Sequence, residues 1–132
     1  MTEIDFNSVS VFSSNYLSPT PPSAAALEPV LSIARNAIVT RSNKQLVADG
    51  SAADPASLGV AVLLGNWTNA PGANWKQAAN DQLGLLLYDT PRSNEGAISH
   101  RTEYAQLWSD YVYMVPPFLV SIFLALLTAH GI

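Results

Sequence analysis

The sequence contains no cysteine, which excludes disulfide bonds and thiolate metal sites without deciding the cellular compartment. Charged residues are also scarce: they make up 12% of the 132 residues, and only six residues are basic. These six lie between Arg35 and Arg101 without clustering, so no basic stripe forms and no nucleic-acid partner is expected. A hydrophobic content of 48% is instead typical of one packed domain.

Recurrent catalytic and metal-binding signatures are missing as well. There is no glycine-rich phosphate loop and no H-E-x-x-H, C-x-x-C or G-x-S-x-G pattern. The only histidines are His100 and His130, which are too few for an ordinary structural zinc site. A metalloenzyme is therefore not indicated, and no metal site is predicted.

The two ends of the sequence give different indications about targeting. Glu3 and Asp5 stand where a secretory signal would carry basic residues, so a cytoplasmic location is the default and the compartment is otherwise unknown. Residues 111–129 carry no formal charge and approach the ~20 residues that span a bilayer. Pro116 and Pro117 interrupt this run and no basic residue flanks it, so a buried helix is favoured over a membrane anchor.

The chain divides into a lead-in and a helical part. Residues 1–22 are rich in Ser, Asn and Pro, which predicts an extended or disordered segment. Ser23 then offers a helix cap, and residues 24–39 have apolar positions at spacings of three and four, which predicts a helix. The polar stretch that follows ends in Asp49-Gly50, a turn signal.

Further helices follow, and no segment shows the alternation of a half-buried strand. Asp54 and Pro55 predict a helix start, because the carboxylate accepts from free N–H groups and proline fits the first helical position. We expect that helix to reach residue 67, a third to span residues 75–88 after the Pro71-Gly72 turn, and a last to begin near residue 108 or 110. The sequence thus predicts an all-α domain over residues 23–132, built from antiparallel helical hairpins.

Residues 96–119 are the most informative stretch. They place Ser99, His100, Arg101, Trp108 and Asp110 close together, ahead of an uncharged run. A titratable pair beside an aromatic side chain at the start of an apolar helix is typical of a site that lines a pocket. The residues alone leave alternatives open, since Asp110 suits a helix cap, His100 a structural hydrogen bond and Arg101 a solvated loop.

The same stretch resembles a motif of glycoside hydrolase family 105, the unsaturated rhamnogalacturonyl hydrolases, in which G-x-x-x-H precedes W-x-D-x-x-x-M-x-x-P-F. The matching positions in this chain are Gly96, His100, Trp108, Asp110, Met114, Pro117 and Phe118. The resemblance extends over about residues 52–119 and includes the Asp-Pro-Ala-Ser-Leu-Gly stretch that begins at Asp54. It implies a six-hairpin (α/α)6 barrel, of which residues 23–132 would form an incomplete, N-terminal part.

Roles for individual residues follow from this resemblance. Asp110 matches the general acid and base, and Asp54 matches a second catalytic aspartate. His100, Arg101 and Trp108 would bind substrate: the histidine through a hydroxyl or carboxylate, the arginine through the uronate, and the tryptophan by stacking on the sugar ring. The implied partner is an oligosaccharide ending in an unsaturated uronic acid, as pectin degradation leaves, and no cofactor is needed.

Chain length opens two other interpretations. A six-hairpin barrel has twelve helices, whereas this chain has room for about four or five of typical length, so we expect it to be inactive alone. One alternative is a catalytically silent helical fragment or interaction protein, which would self-associate through exposed apolar helix faces. Another is a small tail-anchored membrane protein.

Overall fold

The computed structural model of the chain describes residues 23–129, so the predicted lead-in over residues 1–22 and His130 lie outside the described residues. Residues 23–129 are all-α, with two isolated β-bridges and no strand, which confirms the predicted fold class. Four helices have nine or more residues: α1 (Glu28–Thr40), α2 (Gly59–Trp67), α3 (Trp75–Gly84) and α4 (Val115–Ala129). Their arrangement as part of a six-hairpin barrel stays a prediction.

Four shorter elements extend or connect these helices. They are the 3-10 helix Ala24–Leu27 before α1, the short helix Ala53–Ser57 before α2, the π-helical turn Leu85–Asp89 after α3, and the 3-10 helix Ser109–Tyr113 before α4. The third helix was expected to run through residue 88, but its α-helical part ends at Gly84. The π-helical turn Leu85–Asp89 follows it. At its end the Thr90 hydroxyl donates a hydrogen bond to the Leu85 carbonyl at 2.9 Å.

The helix predicted over residues 24–39 is present as the 3-10 helix Ala24–Leu27 followed by α1, which ends at Thr40. The Ser23 hydroxyl accepts a hydrogen bond from the Ala25 N–H at 3.3 Å and so caps the 3-10 helix. Helix α1 itself has no side-chain cap. Its buried side chains are Leu31, Ala34 and Ile38, spaced by three and four, so one face of the helix joins the core.

Helices α2 and α3 pack closely through a glycine and a tryptophan. The Trp75 ring occupies the space that a side chain at Gly65 would need. The indole N–H of Trp75 donates to the Ala70 carbonyl at 2.7 Å, which fixes the connection between the two helices. That connection turns at Gly72, where φ is +90°, at the predicted Pro71-Gly72 turn.

Helix α4 closes over α2 and the short helix Ala53–Ser57. Phe118 is fully buried and lies directly against Gly59, the first residue of α2. Pro116 and Pro117 lie in the first turn of α4, where no backbone N–H is required by the helix. No helix within residues 23–129 combines the length and apolar character needed to cross a membrane.

Two buried glutamines secure the connection between α1 and the short helix. Gln82 on α3 accepts from the Leu46 N–H at 3.0 Å and donates to the Ala52 carbonyl at 3.4 Å. Gln45 donates to the Ser51 carbonyl at 2.8 Å. Because buried polar groups require partners, these amides bind the backbone that leads into Asp54.

Candidate functional site

His100 lies between two carboxylates. Its Nε2 is 3.7 Å from Oδ1 of Asp54, and its Nδ1 is 3.7 Å from Oδ1 of Asp110. The imidazole side chain is 2% exposed, whereas the two carboxyl side chains are 43% and 50% exposed. The structure therefore brings Asp54, His100 and Asp110 together, with both carboxylates open to solvent.

Trp108 stacks on the same imidazole. The ring centroids of His100 and Trp108 are 4.4 Å apart, and the planes are inclined by 14°. The indole N–H donates to Oε1 of Gln106 at 3.1 Å, and about half of the Trp108 surface remains exposed. The stack holds the imidazole plane, and the exposed part of the indole is free to contact a ligand.

Asp54 does not cap its helix, which corrects the prediction from sequence. The Ser51 hydroxyl accepts from the N–H groups of Ala53 at 3.1 Å and Asp54 at 3.0 Å, and so performs the capping. Asp54 instead lies in the first turn of the short helix, where a negative charge is favoured by the helix terminus. Its carboxylate is thereby left to face His100.

Asp110 lies in the first turn of the 3-10 helix that precedes α4. The N-cap position of that helix is Trp108, which makes no side-chain capping bond. Asp110 is therefore not a helix cap. Its carboxylate faces His100 from the side opposite Asp54. Next to it, partial burial raises the pKa of Tyr111, against a smaller opposing effect of the Arg92 charge.

Arg101 follows His100 in sequence but has a different environment. A Cβ atom on Gly50 would lie 3.0 Å from Nη2 of Arg101, so the guanidinium rests over that glycine. Gly50 has a φ of +80° in the predicted Asp49-Gly50 turn, which favours glycine. Within residues 23–129 no ion pair joins Arg101 to Asp54 or Asp110. The predicted uronate contact stays a prediction.

The His100 ring is short of hydrogen bonds. Its Nδ1 is a buried nitrogen with no partner among the described residues, since Asp110 at 3.7 Å is beyond hydrogen-bond range. The Asp110 carboxylate that faces this nitrogen is half exposed to solvent.

The sequence predicted no role for the two serines behind this cluster, Ser51 and Ser99. Ser51 and Ser99 are both fully buried, and each hydroxyl joins backbone groups of different segments. A local signal existed for Ser51, because Ser51-Ala-Ala-Asp54 fits the S-x-x-D pattern that opens many helices. Ser99 has no comparable signal, because its partners lie two to seven residues further along an irregular loop.

Other surfaces of the described part lie apart from this cluster. A groove of about 470 Å³ is lined in part by Asn66, Asn69, Asn74 and Lys76, and a smaller one of about 120 Å³ lies between α2, α3 and α4. Neither is lined by a predicted site residue. Across residues 23–129, no group of three or more His, Asp or Glu side chains is arranged to hold a metal ion.

Comparison with known proteins identifies no relative: no protein-family model, no curated protein and no solved structure matches this chain.

Proposed function

We propose that this chain carries the acid–base centre of a glycoside hydrolase that acts on unsaturated uronic acids at the ends of pectin-derived oligosaccharides. The observation that supports it best is the placement of Asp54 and Asp110 on opposite sides of the buried His100, at 3.7 Å each. The reaction type comes from the resemblance of residues 96–119 to glycoside hydrolase family 105.

In the proposed reaction, protonated Asp110 donates its proton to C4 of the ring. The π electron pair of the C4=C5 bond forms the new C–H bond, the C4–C5 single bond remains, and the positive charge at C5 is shared with the ring oxygen. Water then adds at C5 and returns a proton to the Asp110 carboxylate. One side chain thus acts first as general acid and then as general base.

The hydrated product is a hemiketal at C5, and it opens without further help from the protein. Its C5–O bond to the ring breaks as the C5 carbonyl forms, which leaves a hemiacetal at C1. That hemiacetal releases the rest of the oligosaccharide as an alcohol. The net change is the addition of one water molecule, with no metal or organic cofactor.

His100 and Asp54 would support Asp110 from behind. Each carboxylate faces one ring nitrogen of His100 at 3.7 Å, so the imidazole lies where it can influence both negative charges through space. Asp54, whose side chain is 43% exposed, would orient the attacking water. Trp108 would offer its exposed surface to the sugar ring, as aromatic side chains do for apolar sugar faces.

A ligand titration of the chain tests this proposal. Unsaturated digalacturonide should move the NMR signals of the His100 and Trp108 rings, and saturated digalacturonide should not, because only the former presents a planar C4=C5 unit. Trp108→Ala should weaken the binding, while Tyr88→Ala, which removes a ring that is 84% exposed, should not. Absence of any shift at His100 and Trp108 would refute the function.

A second candidate function is an interaction protein that associates with itself. Large apolar side chains are exposed near and on α4, among them Val112 at 56%, Val120 at 56% and Phe123 at 60%. Val120 and Phe123 are three positions apart on α4 and so share a face of that helix, and an exposed apolar face is typical of a binding surface. Sedimentation velocity separates the candidates: self-association that Phe123→Asp abolishes, together with no response to the unsaturated sugar, would favour this second function.

A further inference from the structure

The buried hydroxyl of Ser51 connects the backbone of Asp54 to the backbone of His100. The Ser51 Oγ accepts from the Asp54 N–H at 3.0 Å and donates to the His100 carbonyl at 3.1 Å. The same carbonyl accepts from the N–H groups of Ala52 at 2.7 Å and Ala53 at 3.3 Å. The main chain of His100 is therefore tied directly to the segment that carries Asp54.

The backbone around Ser51 is held by further hydrogen bonds. The Ser51 N–H donates to Oδ1 of Asp49 at 2.9 Å, and its carbonyl accepts from Gln45 at 2.8 Å. Gln82, which is fully buried, holds the next carbonyl, that of Ala52. These bonds fix the backbone on both sides of the Ser51 hydroxyl, which itself accepts from the Ala53 and Asp54 N–H groups and donates to the His100 carbonyl.

A second buried hydroxyl performs a similar task on the other side of His100. The Ser99 Oγ accepts from the Arg101 N–H at 3.0 Å and the Gln106 N–H at 2.9 Å, and donates to the Tyr104 carbonyl at 3.0 Å. These bonds close the loop that leaves His100 and returns to it at Trp108.

We infer that Ser51 and Ser99 are positioning residues for the proposed reaction: Ser51 sets the distance from Asp54 to His100, and Ser99 sets the placement of Trp108 and Asp110 against His100. Both side chains are fully buried, so neither can contact a substrate. A role in catalysis for the two serines rests on the proposed function, whereas their effect on the position of His100 rests on the hydrogen bonds alone. The three contacts of His100 thus depend on two separate serines.

The separation of the two supports gives a double test in the ligand-free protein. His100 and His130 are the only histidines, so His130→Gln identifies the ring signals of His100. Ser51→Ala should lose the nuclear Overhauser contact between the His100 ring and the Asp54 side chain and keep the contact with the Trp108 ring. Ser99→Ala should lose the Trp108 contact and keep the Asp54 contact.

Further variants separate positioning from general stability. Ser121→Ala removes another buried hydroxyl, one that donates to the Pro117 carbonyl at 2.7 Å within α4, and should keep both contacts of His100. If Ser51→Ala does not fold, Ser51→Gly removes the hydroxyl at a smaller capping cost and should show the same selective loss. Equal loss of both contacts in either serine variant, or retention of both, would overturn the inference.

These outcomes are distinct from those of the ligand titration. A selective loss of contacts combined with no binding of unsaturated digalacturonide would refute the proposed function and leave the two supports standing. Binding of the sugar combined with equal changes in both contacts of His100 would support the proposed function and overturn the inference about the two serines.

Discussion

The Phe118 ring on α4 occupies the space over Gly59 on α2 that a side chain there would need. Phe118 is fully buried, and its helix begins directly after the 3-10 helix that contains Asp110. Gly59 follows the short helix that carries Asp54. The contact between the two residues therefore brings the chain segments of both carboxylates to the same part of the core.

Gly59→Ala should destabilise the protein, because its methyl group would overlap the Phe118 ring. Overpacking of this kind costs about 1–3 kcal/mol, which urea unfolding would measure as a lower midpoint. Gly84→Ala is the matched control, since nothing lies within 4 Å of an added Cβ at that helical position. It should raise the stability by about 0.5–1 kcal/mol. Equal effects of the two substitutions would show that the close packing at Gly59 is wrong.

Gln82→Leu should also destabilise the protein, through unpaired backbone groups. The change leaves the Leu46 N–H and the Ala52 carbonyl without the partner that Gln82 provides. A buried unsatisfied group costs about 1–3 kcal/mol. The exposed Gln77→Leu, on the same helix, should change the unfolding free energy by no more than about 0.5 kcal/mol. A Gln82→Leu variant as stable as the wild type would contradict the assigned hydrogen bonds.

Tyr111 should make stability fall at alkaline pH. Burial raises its pKa in the folded chain, so the unfolded chain loses the phenolic proton first as the pH rises. Its contribution is complete below the unfolded pKa of about 10 and is lost above it. We expect Tyr111→Phe to lessen the decline in unfolding free energy between about pH 9 and 11, measured by denaturant titration at each pH.

The exposed Tyr88 supplies the control for that experiment. Tyr88→Phe removes a hydroxyl in solvent and should leave the alkaline decline as it is in the wild type. If Tyr111→Phe follows the wild-type curve as well, burial of Tyr111 does not influence its ionisation.

The sequence predicted the elements that depend on local signals. The apolar spacing of residues 24–39, the Ser23 cap and the turn glycines, all of which have positive φ, match the structure. The cap of the short helix was assigned to Asp54 and belongs to Ser51. Both Asp54-Pro55 and the S-x-x-D pattern that begins at Ser51 are good local signals for the start of a helix. The hydrogen bond from the Ser51 hydroxyl to the His100 carbonyl, which is distant in sequence, favours Ser51 as the cap.

The spatial cluster could be expected only in outline. Neither periodicity nor capping predicts the path of residues 101–108, which has no helical or strand pattern. The stacking of Trp108 on His100 depends on that path and on hydrogen bonds that Ser99 makes to residues of the same irregular loop. The catalytic roles of Asp54 and Asp110 stay predictions.

The last prediction concerns turnover: we expect the chain alone not to hydrolyse unsaturated digalacturonide at a measurable rate. General acid catalysis needs the acid, the ring and the water held in fixed positions, and orientation carries a large part of the rate. The Asp110 and Asp54 side chains are 50% and 43% exposed, so bulk water reaches both carboxylates. The measurement is the loss of absorbance of the conjugated double bond in the presence of purified chain.

The control for this assay is an aspartate of similar exposure at another place. Asp89, with a side chain that is 51% exposed and paired with Lys44 at 3.6 Å, matches Asp110 in type and exposure. A steady loss of absorbance that Asp110→Asn abolishes and Asp89→Asn preserves would contradict the prediction. It would mean that the open face already holds the sugar and its water, because an acid without a positioned substrate contributes little to the rate. Ligand binding without turnover would instead agree with an acid–base centre that needs another surface to cover it.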